Sequence, residues 1–347
     1  MEKNVIKRYI FFGIAIVVVV VLACVGTRVY RWEMNNFTSK DGEGHGYFIQ
    51  PDEPLDSVLT RISADYEIAS KRAFLRDSRR AKLVSAKPGY YRFERSFGNR
   101  HIIRTLQLGN ESPVRLTFTN TVRTREQLAG RLAAQLMLDS VSILRCLEDN
   151  DYMAQFGLNR ETAVCLFLPD TYEVYWTMTT DELFGRMKKE YDAFWTPERI
   201  HKADSLHLTP TEVATLASIV ESETYREAEH PAIASLYLNR LRKGIALQAC
   251  PTVIFATGNL KLRRVLKSHL AIDSPYNTYK YPGLPPGPIR CARKHTIDVV
   301  LNAPNTGYLF MCANPDFSGT HVFSKTYAQH AAVAQQYRRQ LDQRAIH

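Results

Sequence analysis

Apolar residues along this chain change their period several times, and each change marks an element. Tyr9 to Thr27 is a run of 19 uncharged residues between Arg8 and Arg28, centred on Val17–Val21. As a helix it would reach about 28 Å, close to the ~30 Å hydrocarbon core of a bilayer. The pattern therefore predicts a transmembrane helix over 9–27, with residues 1–8 as a cytoplasmic tail. Residues 28–46 then read as a linker, where Asn35, Asn36, Asp41, Gly42 and Gly44 crowd together with little apolar content. Tyr47-Phe48-Ile49 is a short strand. Val58, Leu59 and Ile62 recur at helical spacing, and a second helix fits Ile68–Leu75. Lys87-Pro88-Gly89 turns into a strand over Tyr90–Phe93. Ile102, Ile103, Leu106 and Leu108 continue as a helix closed by Gly109, and Val114–Val122 alternates as a half-buried strand does.

The second half is mostly helical in period. Helices are expected over Arg125–Leu138, Val141–Leu147, Thr180–Phe194, Thr209–Thr224 and Thr326–Leu341. Leu166–Tyr172 reads as an interrupting loop, Tyr276–Ile289 is irregular, and Tyr308–Met311 and His321–Phe323 look like two strands. The expected fold class is α+β: one transmembrane helix, a small module over 47–112 and a larger, mostly helical domain with short strands over 113–347. The strand–helix–helix–strand order of 47–112 resembles a LysM-like carbohydrate-binding module.

Composition narrows the function class. With 347 residues, 45% hydrophobic and 23% charged, the chain is neither disordered nor polytopic. The net charge is +10; residues 1–32 hold five bases and one acid, so the remainder carries +6. That excess suits an anionic surface or polymer. With no RNP-type motif, zinc-finger spacing or dense basic helix, nucleic acid is not the expected partner. The basic run Lys261, Arg263, Arg264, Lys267 reads as a solvated helix face. Lys3, Lys7 and Arg8 against Arg28 and Arg31 favour a cytoplasmic N-terminus. Val21-Leu22-Ala23-Cys24 also resembles a lipoprotein processing site with Cys24 lipidated. Either way the bulk of the chain would lie outside the cytoplasm, tethered to a membrane. The other five cysteines contain no CxxC and read as scattered thiols. His295, His321 and His330 lack metal-ligand spacing, and neither HExxH nor GxSxG occurs, so no metal or cofactor is expected.

One helix carries candidate chemistry. Thr209-Pro210-Thr211-Glu212 is a strong start, with a Thr cap, Pro in the first turn and Glu three residues on. Val213, Leu216, Ala217 and Val220 then form an inward face, and Glu221 and Glu223 fall on its opposite borders. Partial desolvation and the negative helix C-terminus both raise a carboxyl pKa, as a general acid requires. Spacing alone fits two solvated helix glutamates better.

The neighbourhood carries more. Asn239-Arg240-Leu241-Arg242, Leu247-Gln248-Ala249-Cys250-Pro251-Thr252-Val253, Ser274-Pro275-Tyr276-Asn277-Thr278-Tyr279 and Gly283-Leu284-Pro285-Pro286-Gly287-Pro288-Ile289 follow in order. Together with Leu168-Pro169-Asp170-Thr171-Tyr172 upstream, and Gly319, His321, Phe323 and His330 downstream, they resemble the endolytic murein transglycosylases of the YceG-like family over residues ~160–335. The resemblance implies cleavage of the MurNAc–GlcNAc bond inside peptidoglycan strands to 1,6-anhydro-MurNAc ends. It makes Glu221 the expected catalytic acid/base and Glu223 a supporting acid. It puts Asn239, Arg240, Gln248, Thr252, Tyr276, Asn277 and Thr278 around a substrate cleft. It further implies a single-pass protein of the inner membrane with a periplasmic catalytic domain, with peptidoglycan strands as substrate and cell-wall synthesis proteins as candidate partners. The family usually has Asp before Pro-Thr-Val, where this chain has Cys250. Two other readings stay open: a hydrolase of the same bond, with Glu223 or Asp170 activating water, and a glycan-binding scaffold that has lost activity.

Overall fold

The apolar run is helical, but the helix outlasts it. α1 spans Glu2–Glu33, so most of the expected tail and residues 28–33 of the expected linker continue its ladder. Arg is a good helix former, so neither Arg8 nor Arg28 stops it. The stretch Lys7–Glu33 is long and apolar enough to cross a membrane, with mean hydropathy 2.9 at its most apolar. Val17–Val21 stay exposed, uncovered by the rest of the chain. The computed structural model describes residues 2–343. Met1 of the expected tail, and residues 344–347 of the expected 113–347 domain, lie outside the described residues.

The chain divides into two compact units. The first comprises Met1–Arg115 with Glu173–Thr177. After α1 come β1 (Phe37–Ser39), β2 (His45–Ile49), α2 (Leu55–Asp65), β3 (Tyr66–Ile68), α3 (Lys71–Arg80), β4 (Gly89–Phe93), β5 (Ser96–Phe97) and α4 (Asn99–Leu108). β1 lies between β3 and β5, antiparallel to both, with Phe37 opposite Ile68 and Phe97. β2 and β4 form a separate antiparallel pair that runs from His45↔Phe93 to Ile49↔Gly89. The stretch expected as a linker thus contributes a strand. Its polar Asn36 is fully buried: Nδ2 donates to Asn99 Oδ1 at 2.7 Å, and Oδ1 accepts from the Ser70 amide at 2.9 Å. A buried amide needs such partners, and the partners lie far along the chain, so composition alone reads as linker. Phe37, Phe74, Phe93 and Phe97 pack with Tyr66 and Ile102 as the core. Helix α3 begins three residues later than expected, because β3 takes Ile68 and Ser70 caps the helix at the Ala73 amide. Gly109 closes α4 at φ 75°, a left-handed position that glycine adopts without strain.

The second unit comprises Leu116–Tyr172 and Met178–His347. β6 (Val114–Phe118) and β7 (Asp170–Val174) pair as two strands; β7 falls where a loop was expected. Between them lie α5 (Arg125–Ala133), α6 (Ser140–Glu148) and α7 (Asn150–Ala154). Then follow α8 (Thr180–Phe194), α9 (Pro197–Ser205), α10 (Pro210–Glu223), α11 (His230–Arg242), α12 (Cys250–Ala256), α13 (Lys267–Leu270) and α14 (Lys294–Leu301). β8 (Phe310–Ala313) and β9 (His321–Ser324) pair antiparallel, and α15 (Tyr327–Gln343) ends the unit. The basic run is not a helix face: it is turn and irregular backbone up to Lys267, where the four-residue α13 begins.

Helix α10 occupies the middle of this unit, in contact with α9, α11, α12 and α14. Its start is a complete capping box: Thr209 Oγ1 accepts from the Glu212 amide, and Glu212 Oε2 accepts from the Thr209 amide at 2.8 Å. One apolar face was expected, yet Val213–Glu221 are buried without a break. Such a helix is enclosed on all sides, and Ala214, Ala217 and Ser218 are small enough to let neighbours approach. Ser218 Oγ accepts from the Ile289 amide at 3.0 Å, pinning the Pro-rich segment to the helix.

Candidate active site

The two glutamates at the end of α10 sit in different surroundings. Residues two apart on a helix point ~200° away from each other. Glu221 is 3% exposed. Its Oε1 accepts from Arg293 Nε and from Thr296 Oγ1 at 3.1 Å. Its Oε2 is buried and accepts no hydrogen bond among the described residues. Arg293 also pairs with Glu227. Burial lowers the proton affinity of the Arg293 guanidinium, but the two carboxylates outweigh it and hold the pKa above its usual value. Glu221 is thus the buried half of a partly buried ion pair, an arrangement that orders the end of α10 against the segment leading into α14.

Glu223 turns the other way, toward α11. Tyr237 Oη donates to its Oε1 at 2.5 Å; Oε2 accepts no hydrogen bond among the described residues. Half-buried at the wall of a cleft, the carboxyl is pushed up to about 7 by desolvation, against the lowering effects of the Tyr237 hydroxyl and of His321. The tyrosine responds in kind: burial and the facing carboxylate push its hydroxyl well above the usual range. A carboxyl balanced near neutrality, with one oxygen fixed and the other free, can give a proton and take one back.

The cleft has a volume of about 400 Å³. Besides Glu223 and Tyr237 its walls include Gln248, Cys250, Tyr279, Phe310 and His321. Gln248 holds a positive φ of 53°, fixed by its amide, which donates to Thr278 O at 3.0 Å. Cys250 is an exposed residue whose sulfur lies 3.2 Å from Tyr279 Oη. Desolvation within the cleft pushes its thiol up, so it is kept protonated rather than activated. Glu229 Oε1 and Oε2 hold the His321 amide at 2.6 Å and its Nδ1 at 3.0 Å.

The remaining expected binding residues divide into cleft and scaffold. Arg240 lines the cleft but donates to the carbonyls of Leu309 (2.7 Å), Ala246 (2.9 Å) and Leu247 (3.0 Å) and lies over the Phe310 ring, so it ties α11 to the loop carrying Gln248. Asn239 donates to Tyr308 O at 3.1 Å. Asn277 is fully buried and donates to Leu270 O and Ile272 O. Thr252 and Thr278 are buried with their hydroxyls 2.8 Å apart, and Thr278 Oγ1 also accepts from the Ala249 amide. These four fix the backbone around the cleft rather than facing it. Tyr276 packs on Phe255 and lines a second cavity, with Arg123 and Arg125. Sequence reasoning missed Tyr237, Phe310, Arg293 and Thr296. Each is brought to α10 or to the cleft from another helix or strand, and none stands in a motif with the glutamates.

His, Cys, Asp and Glu side chains do not gather into a group of three able to hold a metal ion, among the described residues. All six cysteines are free thiols.

The sequence profile of the YceG-like family matches residues 47–336. An endolytic murein transglycosylase of Bacillus subtilis is 28% identical over 302 residues, 82% of each chain. One of Streptococcus pneumoniae is 26% identical over 257 residues, 66% of this chain and 46% of the relative, so this chain spans about half of that protein. The crystal structure of a YceG-like protein from Listeria monocytogenes superposes with a TM-score of 0.58 at 25% identity, covering 84% of this chain and 99% of that one.

Proposed function

The chain belongs to the YceG-like family, and we propose that it is a lytic transglycosylase that cuts peptidoglycan strands internally, with Glu223 as the group that moves the proton. The observation that carries this reading is the Glu223 carboxyl at about 7 in the wall of the cleft. Near neutral pH a good share of it is protonated. It would give its proton to the bridging oxygen as the bond from C1 of the MurNAc residue breaks. The resulting carboxylate would then take the proton of the same sugar's C6 hydroxyl as that oxygen closes on C1. The product is a 1,6-anhydro end, and the carboxyl is restored. No second carboxylate is needed, because the nucleophile is tethered to the reacting sugar and gains the advantage of an intramolecular reaction. A hydrolase would need a carboxylate to activate water. Asp170 is instead paired with Lys294 at 2.7 Å.

The other assignments follow from position. Glu221, bound to Arg293 and Thr296, holds the end of α10 and so the direction of Glu223. This exchanges the roles expected from motif position alone. Tyr279 and Phe310 offer ring faces to sugars, and Gln248 offers an amide to hydroxyl or acetamide groups. Helix α1 would anchor the protein in the inner membrane as a single pass, with the rest of the first unit and the second unit on the periplasmic side. Residues 47–112 of the first unit would serve as a LysM-like glycan-binding module.

The test is the product. Full-length protein in detergent, incubated with peptidoglycan in heavy-oxygen water, should release fragments with anhydro ends one water lighter than hydrolysis products and without label. A spectrum dominated by labelled, reducing muramyl ends would establish a hydrolase. No cleavage would leave the scaffold.

A further inference from the structure

On the other side of α10 from the cleft, two arginines meet without an acid between them. Arg123 precedes α5, and Arg290 leads toward α14. The Cys291 amide donates to Val122 O at 3.0 Å, which sets the two segments side by side. Each guanidinium is partly buried. Burial lowers the proton affinity of both; the charge of Arg290 adds to this at Arg123, and that of Arg293 adds to it at Arg290. Glu221 does act on Arg290 from nearby, but its carboxylate is bound by Arg293 and Thr296. Among the described residues neither Arg123 nor Arg290 forms an ion pair.

Their protein partners are carbonyls. Arg123 Nη1 donates to Leu260 O at 3.3 Å, and Arg290 Nη1 donates to Glu221 O at 3.2 Å. Each guanidinium has five N–H donors, and Nε of both is buried without a partner. Two like charges held together, half desolvated and with donors to spare, are an unfavourable arrangement in isolation. A carboxylate would relieve it with bidentate, charge-assisted bonds. Tyr225, which follows the cap of α10, is 98% exposed and close enough to both arginines to act on them electrostatically. A tyrosine so exposed buries nothing in the protein, and its ring can lie along a ligand.

We infer that Arg123, Arg290 and Tyr225 form an anion subsite that holds a carboxylate of the peptide stems attached to the glycan. This rests on the proposed peptidoglycan substrate. Because Arg290 bonds the Glu221 carbonyl, two residues before Glu223, the subsite would anchor the stem at the end of the helix that carries the acid. It would thus favour stem-bearing strands over bare ones.

The experiment compares two soluble substrates, glycan fragments with stem peptides and the same fragments after enzymatic removal of the stems, using full-length protein in detergent. Wild-type turnover of either shows that the proposed activity holds; absence of turnover on both refutes that activity, and with it the stem role. If wild type cuts, Arg123→Gln should raise KM about tenfold on the stem-bearing fragment, the scale of a lost charged hydrogen-bonding pair, and leave the bare fragment unchanged, since the Arg123 bond runs to Leu260 O and not to α10. Arg123→Lys should recover part of the loss. Equal effects on both fragments, or none on either, overturn the subsite. Circular dichroism checks the fold of both variants. Calorimetry with a free stem peptide and with the same peptide amidated at every carboxyl gives an independent arm: the subsite requires weaker binding of the amide, and identical binding overturns it.

Discussion

Glu223→Gln should make the protein more stable and inactive at once, and the pH dependence gives the reason. The Glu223 carboxyl titrates at about 7 in the folded chain against an ordinary 4.5. Below pH 4.5 it is protonated in both folded and unfolded chains and changes nothing. Between 4.5 and 7 the unfolded chain releases the proton while the folded chain keeps it, so stability falls as pH rises. Above 7 the folded chain holds a desolvated carboxylate and the full penalty applies, about 3 kcal/mol at most. Gln has the same shape, can still accept from Tyr237 and never ionises. Its advantage should be near zero at pH 4 and reach up to ~3 kcal/mol at pH 8. For a unit of this size that corresponds to a rise in melting temperature of up to about 10 °C. The assay is thermal melting of full-length wild type and variant in detergent at both pH values, alongside turnover. Turnover should fall ~10²–10⁴-fold in the variant, and wild-type kcat/KM should fall about tenfold per pH unit above 7. Equal stabilisation at pH 4 and 8, or none at pH 8, would refute the desolvated carboxyl. Retention of more than a tenth of the activity would refute its role in proton transfer.

Glu221→Gln should act through structure: it leaves Arg293 without its buried anion, costs about 1–3 kcal/mol by denaturation, and lowers turnover less than Glu223→Gln. A larger loss in a folded variant would restore Glu221 as the acid. Cys250→Ser should keep activity and resist any change by iodoacetamide, because the thiol is protonated and plays no covalent part; inactivation would overturn the mechanism. Cys250→Asp adds an anion to the cleft and should move the alkaline limb of the pH profile upward by roughly half a unit or more, read from kcat/KM against pH. Removing residues 47–112 should weaken co-sedimentation with insoluble peptidoglycan while leaving turnover of soluble fragments, with circular dichroism as the control; unchanged co-sedimentation would leave that unit without a binding role.

Much of the local order was legible because the signals are local. The capping box at Thr209, the closing Gly109 and the span of α8 all rest on residues within a few positions of one another. The uninterrupted run Tyr9–Thr27 announced a helix, though only its apolar part, since arginines extend a helix as readily as they flank one. What could not be read depends on distant partners. β1 hides in a polar stretch because Asn36 finds Ser70 and Asn99 in space, and β3 claims Ile68 by pairing with β1.

The same division separates the two glutamates. Helical period correctly sends Glu221 and Glu223 to opposite sides of α10, but period does not say what waits on each side. Arg293 and Thr296 arrive more than 70 residues later and bind the Glu221 carboxyl. On the other side Tyr237, from the next helix, offers one hydroxyl and no charge to Glu223. Ion pairing and desolvation act on a carboxyl in opposite directions, and at Glu223 it is desolvation that prevails. Asn239, Asn277, Thr252 and Thr278 show the converse. The family resemblance put them around a substrate cleft, and in the fold their hydrogen bonds end on backbone and on each other. They hold the loops that place Gln248, Cys250 and Tyr279, so a substitution such as Asn277→Ala would damage the cleft by releasing its wall rather than by removing a ligand contact.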